Sequence, residues 1–363
     1  MENCGWRKKG SMNRGHNRER KGLTLACLVL CACVCLVTLS GVAAAAPAAQ
    51  QPAAQPGRSW ENYFGVAILP SGRVVVVGDK GVVMLSDNEG RTWLRQQLKH
   101  GFRHDDLYSV AFTADGSSGW VVGDHGVIFR TDDHGATWIE QKVPAGATGA
   151  LTKIAVSGAQ NACAGGDHGV ILCTSDGGAT WNLQKIGDIG LFDLAFTDAN
   201  DGWAVGEFKT MLHTSDGGKS WKIAAGGDRM KTTDPYFAIA FASGHNGLAL
   251  GVAGDALETS DGGATWKPAD LSIEHKSFYA LVAPPTLAGA FFAAGETGVA
   301  ALIAGGKLSR IQSGTSNAIA GLAFSEHLAI AVGLSGTLLK SDDSGQHWHS
   351  LNIAEQALES REQ

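Results

Sequence analysis

Short acidic turns recur along this chain: Asp79, Asp124, Asp167, Glu207, Asp255 and Glu296 each follow a Gly, and a seventh site offers Leu334-Ser335 instead. Carboxylates gathered by such repetition would form a docking ring for a basic partner segment or a weak cation site, whereas each Gly-Asp taken singly is ordinary tight-turn chemistry. His125 and His168 stand beside Asp124 and Asp167 at the same step of adjacent copies. Imidazole with carboxylate suits a transition metal, but turn histidines are far commoner without one, so no metal and no cofactor is expected. Cationic residues collect in longer polar stretches at 96–106, 223–235 and 267–276, which hold Lys99, His100, Arg103, His104, Arg229 and Lys231. Loops on a rigid scaffold are where recognition usually resides, so Lys99, Arg103, Arg229 and Lys231 join the acidic set as expected partner contacts.

The elements that must position these residues are announced by a phrase written six times, a hydroxyl residue followed by Asp, Gly and Trp. Its copies begin at Ser86, Thr131, Thr174, Thr214, Thr259 and Ser341. They carry Asn88 and Trp93, Asp133 and Trp138, Asp176 and Trp181, Asp216 and Trp221, Asp261 and Trp266, and Asp343 and Trp348. Successive Trp lie 40–45 residues apart, except for a last gap of two periods. A seventh copy sits in phase at 301–308, with its hydroxyl, Asp and Trp lost.

A period of this length filled by short strands predicts an all-β, seven-bladed β-propeller of four-stranded antiparallel blades. Strand A is an apolar run in each copy (64–69, 107–112, 151–156, 191–196, 236–241, 278–282 and 319–324), and strand B carries small and β-branched residues ending in Gly. Their near-continuous apolar character fits strands buried on both faces between neighbouring blades. In such a blade the B–C and D–A connections share one face, so the acidic turns should ring one mouth of the channel together with the cationic loops. His134, His347 and His349 should lie on the opposite face.

The repeated phrase falls between strands C and D. Its hydroxyl and carboxylate accept backbone N–H groups, its Gly takes positive φ, and its Trp covers the hairpin. It resembles the Asp-box of sialidases and many unrelated propellers, departing from it at Asn88 and at His347. A sialidase would also need three convergent Arg, a Tyr–Glu nucleophile pair and a further acid. The Arg motif that precedes the first box in that family is absent, and the propeller's Arg lie mostly beside turns. A glycan-binding or glycoside hydrolase propeller is the alternative, and no catalytic residue is expected. Leu107-Tyr108-Ser109-Val110-Ala111-Phe112 with Gly119-Trp120-Val121-Val122-Gly123, and Leu191-Phe192-Asp193-Leu194-Ala195-Phe196 with Gly202-Trp203-Ala204-Val205-Gly206, make the chain resemble the photosystem II stability/assembly factor family. That resemblance covers about residues 59–353. It implies a non-catalytic scaffold in the thylakoid lumen or periplasm that binds newly made reaction-centre protein. An accessory to an envelope export system is a further candidate role, and a monomer is expected.

The propeller would occupy 59–353 of the 363 residues, leaving a tail at 354–363 and an Ala, Pro and Gln-rich linker at 47–58. Residues 1–46 put seven basic residues before an apolar run that ends in small residues, as an export signal does, and cleavage would follow Ala44 to Ala46. The run is also long enough to remain as an anchor. Without residues 1–46 the net charge falls from −6 to −11, which argues against nucleic acid or anionic lipid as partners. Cys163 and Cys173 remain after removal of the signal. A turn centred between Asp167 and His168 puts them one position out of register, so two buried thiols are expected rather than a disulfide. The ring is expected to close without strand exchange.

Overall fold

The computed structural model describes residues 61–224, 233–242, 245–271 and 275–351. These form seven four-stranded antiparallel sheets, each made of four consecutive strands, set as the blades of a propeller. Strand A lines the channel: Tyr63–Ile68, Leu107–Phe112, Leu151–Val156, Leu191–Phe196, Tyr236–Ala242, Phe278–Val282 and Ile319–Phe324 in blades one to seven. Strand B is buried along its length, as in Val74–Gly78 and Phe291–Gly295, which is why it tolerates only small and apolar residues. Strand D is half-buried or exposed and, where a box precedes it, begins one residue after the box Trp. Blade seven closes on blade one without exchanging a strand. Tyr63, Val76 and Trp93 share a core with Ile330, Val332 and Leu338, and Ser335 N donates to Asn62 Oδ1 at 2.9 Å.

Each box turn is held by the same hydrogen bonds. In blade three Thr174 Oγ1 accepts the Gly178 N–H at 2.8 Å and donates to Asp176 Oδ1 at 2.8 Å. The carboxylate then accepts the Thr180 N–H at 2.9 Å and its hydroxyl at 2.6 Å. These bonds, the Thr180 hydroxyl first, hold the Asp176 carboxyl down at about 2, and Asp216 is held at about 2 in the same way, chiefly by Ser220. The departures keep the pattern. Asn88 Oδ1 accepts the Thr92 N–H at 2.8 Å, and His347 Nδ1 lies 2.6 Å from Asp343 Oδ2. Blade six has no box, and Ala300–Ala304 and Lys307–Ile311 are joined by Gly305-Gly306 alone.

The two cysteines form a disulfide, against the expectation of free thiols. The reason is a half-residue error in the turn. Its three residues, Asp167–Gly169, are centred on His168 at φ 57°, which places Cys163 directly opposite Cys173 with Cα atoms 4.1 Å apart. The bond lies under the box of blade four, where a Cβ added to Gly218 would overlap both sulfurs.

Candidate functional site

Every B–C connection is a three-residue turn whose middle residue has positive φ: Lys80, His125, His168, Phe208, Ala253, Thr297 and Ser335. In six of the turns the first residue anchors the turn to its own blade, as Asp79, Asp124, Asp167, Glu207, Glu296 and Leu334 donate their N–H to the carbonyl just before strand A. These turns pack against the start of strand A in the next blade, and so surround one channel mouth. Asp255 does not hold this position. The turn of blade five is Val252–Gly254, so Val252 stands where the acid was expected, and Asp255 lies three residues on, in an ion pair with Lys209 at 2.6 Å. Gly254, the third residue of the turn like Gly81, Gly126, Gly169 and Gly298, makes a Gly-acid pair with Asp255 that does not share the place of the others, whose leading glycine corresponds to Gly251. Blade seven contributes Leu334. The acids therefore form an arc that is densest over blades one to four.

That arc is electrostatically uncomfortable. Asp79 accepts the Asn62 N–H at 2.8 Å, Asp124 accepts the Tyr108 hydroxyl at 2.9 Å, and Glu207 accepts the Gly190 N–H at 2.8 Å. Burial nevertheless raises the carboxyls of Asp79 and Asp124, with Asp106 adding like charge to both. Asp167 is pushed up to about 6, first by burial and then by the charges of Glu207 and Asp124 on either side, against the Ala150 N–H bond and His168.

The loop before blade two overhangs this arc. His100 and Arg103 pair as a two-residue hairpin whose tip, Gly101-Phe102, leaves the Phe102 ring fully in solvent. Buried Asp105 holds the loop down, taking His100 Nδ1 at 2.9 Å, His125 Nδ1 at 3.1 Å and Arg103 Nε at 3.6 Å. Lys99 and His104 are exposed beside it. His125 and His168 do not converge, since His168 is 2.9 Å from Asp188 in a different loop. No group of three His, Cys, Asp or Glu able to hold a metal occurs among the described residues. Arg229 and Lys231 lie outside the described residues.

Beneath the arc, aromatic rings at the second position of strand A in five blades narrow the channel, with Thr152 and Ala320 at that position in the other two. Phe64 and Tyr108 have ring centroids 5.3 Å apart, Phe192 and Phe237 5.7 Å, and Phe237 and Tyr279 5.3 Å. Below lies a cavity of about 70 Å³, room for a few waters. Its wall holds a charged pair that sequence reasoning missed, Lys153 Nζ and Asp193 Oδ1 at 2.9 Å. Asp193 Oδ2 also takes the Ile239 N–H of the next blade at 2.8 Å, a donor left over because strand A is the inner edge of its sheet. The signal was available. The third position of strand A is Gly65, Ser109, Ala238, Ala280 and Gly321 elsewhere, and only blades three and four place charge there.

Fold and site define a seven-bladed Asp-box propeller with an acidic turn-and-loop face. Residues 60–192 match the family described as photosynthesis system II assembly factor YCF48, so the resemblance read from the sequence holds over that segment. No curated protein sequence matches the chain. A solved structure of YCF48 bound to D1 peptide is similar at TM-score 0.63 and 19% identity, over 78% of this chain and 94% of that one. YCF48 from Cyanidioschyzon merolae is similar at TM-score 0.61 and 18% identity, over 79% and 96%. An ancestral GH74 enzyme is similar at TM-score 0.62 and 14% identity, over 82% of this chain but 47% of its own. At these identities the structures establish the shared fold.

Proposed function

We propose that this chain is an exported, non-enzymatic scaffold that binds a subunit of a membrane protein complex and helps to assemble or stabilise it. The match of residues 60–192 to the photosystem II assembly factor family carries the proposal. It makes a reaction-centre-like subunit the first candidate partner, D1 peptide being the ligand in one similar structure. Recognition is assigned to the mouth. The arc of Asp79, Asp124, Asp167 and Glu207 offers partly desolvated charge to a basic segment, and the loop carrying Lys99, Phe102 and Arg103 supplies an exposed ring and cations beside it. A large solvent-exposed aromatic at a tethered hairpin tip is the kind of anchor that interfaces bury. A photo-crosslinking residue at position 102 should capture a membrane-complex subunit, and one at position 219, in a box turn on the opposite face, should not. Equal capture from both positions would dismiss the mouth as the contact. Glycoside hydrolysis is not favoured, because Arg73, Arg95, Arg103 and Arg130 are each tied to a nearby carboxylate instead of converging.

A further inference from the structure

In six of the seven seams the box turn of one blade covers one cross-strand pair of the blade before it. The pairs are Val75–Leu85, Trp120–Arg130, Cys163–Cys173, Trp203–His213, Phe292–Leu302 and Ile330–Lys340, all at the same step of the B–C ladder. Contact is close. A Cβ on Gly263 would overlap the Trp203 ring, and one on Gly345 would lie 2.8 Å from Phe292. Among the described residues no box turn lies over the fifth pair, Leu248–Glu258, and Leu248 forms a buried floor there with Leu271, Phe291 and Ile303. A Cβ built on Gly305, Gly306 or Gly289 meets nothing within 4 Å. What remains is an open cleft of about 280 Å³, lined by Leu248, Leu271, Phe291 and Ile303 with Glu258 and Lys267 beside them.

Two neighbours say what fits there. In the seams on either side, Trp266 stands 5.5 Å from Trp203 and Trp348 stands 5.6 Å from Phe292, so the place opposite Leu248 is one that an aromatic ring occupies elsewhere. At the ladder step of Glu258, Lys340 of blade seven reaches Glu89, the fourth residue of the box that covers it, at 3.5 Å. Glu258 reverses that sign, is exposed, and has no hydrogen-bond or ion-pair partner among the described residues.

We infer that the cleft between blades five and six is a docking site for a turn of a partner polypeptide that carries an aromatic side chain and a Lys or Arg. The foreign turn takes the place of the missing box: its ring packs on Leu248 and Phe291, and its cation meets Glu258. The cleft opens on the box face, away from the acidic mouth, and does not rest on the function proposed above.

A cyclised peptide, Thr-Ser-Asp-Lys-Gly-Ala-Thr-Trp, labelled for fluorescence anisotropy and titrated with the full chain, tests this. It should bind saturably, and Glu258→Lys should weaken it about tenfold, the loss of one partly exposed ion pair plus new repulsion. The same peptide with Glu in place of Lys should prefer the Glu258→Lys variant. Absence of saturable binding to the unaltered chain, or binding indifferent to both charge changes, would overturn the inference. Sedimentation showing a dimer that Glu258→Lys dissolves would make the occupant a second copy and overturn the foreign turn.

Discussion

Replacing Asp167 by Asn removes a buried charge while keeping the shape and the acceptor for the Ala150 N–H. Its carboxyl titrates at about 6 in the fold against an ordinary 3.8, a difference worth ~3 kcal/mol before solvent screening. Partial solvent contact and flanking charges cut this to about 1–2 kcal/mol. The sign follows from which state holds the proton. Between pH ~4 and ~6 the folded chain keeps a proton that the unfolded chain has released, so stability falls as pH rises through that window and the whole penalty is present above it. Asp167→Asn should therefore be more stable than the unaltered chain by about 1–2 kcal/mol at pH 7.5, and by about a third of that at pH 4.5. Urea unfolding followed by Trp fluorescence at the two pH values reads the gap directly. A variant less stable at pH 7.5, or a gap unchanged between the two, would mean that the Asp167 charge carries no burial penalty in the fold.

The box aspartates act in the opposite direction. Asp176 and Asp216 titrate at about 2, so their stabilisation is complete above pH ~4 and is lost as pH falls through ~2; with the acidic arc falling off above, thermal melts across pH 2–8 should peak near pH ~4–5. Serine at both Cys163 and Cys173 should cost about 2–3 kcal/mol in urea unfolding, with amide exchange rising first around Gly218. Gly263 and Gly306 both have positive φ, yet only Gly263 faces a ring. Gly263→Ala should lose about 2 kcal/mol more than Gly306→Ala in the same assay.

The ring of seven blades was legible because the box turn is local chemistry. Hydroxyl, Asp, Gly and Trp fall within eight residues, so the motif carries its own geometry and its spacing counts the blades. Even the lost copy at 301–308 kept its phase. What depended on the placement of a single residue was less secure. The pairing of Cys163 with Cys173 turned on whether a turn has two residues or three, and His168 in a left-handed conformation settles it at three. Asp255 follows a Gly as its counterparts do, but that Gly is the last residue of the turn and not the one that ends strand B, so the acid falls outside the arc. Contacts between blades were the least visible, because no short-range pattern announces them. The Lys153–Asp193 pair, the collar of strand A aromatics and the Leu248–Glu258 step that no box turn overlies all emerge from comparing the same position across blades.

Whether the acidic mouth holds a membrane-complex subunit can be read by capture from detergent-solubilised membranes of the source cells. Using the unaltered chain beside a variant carrying Asp124→Lys and Glu207→Lys, both verified as folded, the account predicts that the first recovers a discrete membrane-complex subunit and the second loses it. No membrane protein with either chain, or the same subunit with both, would contradict it.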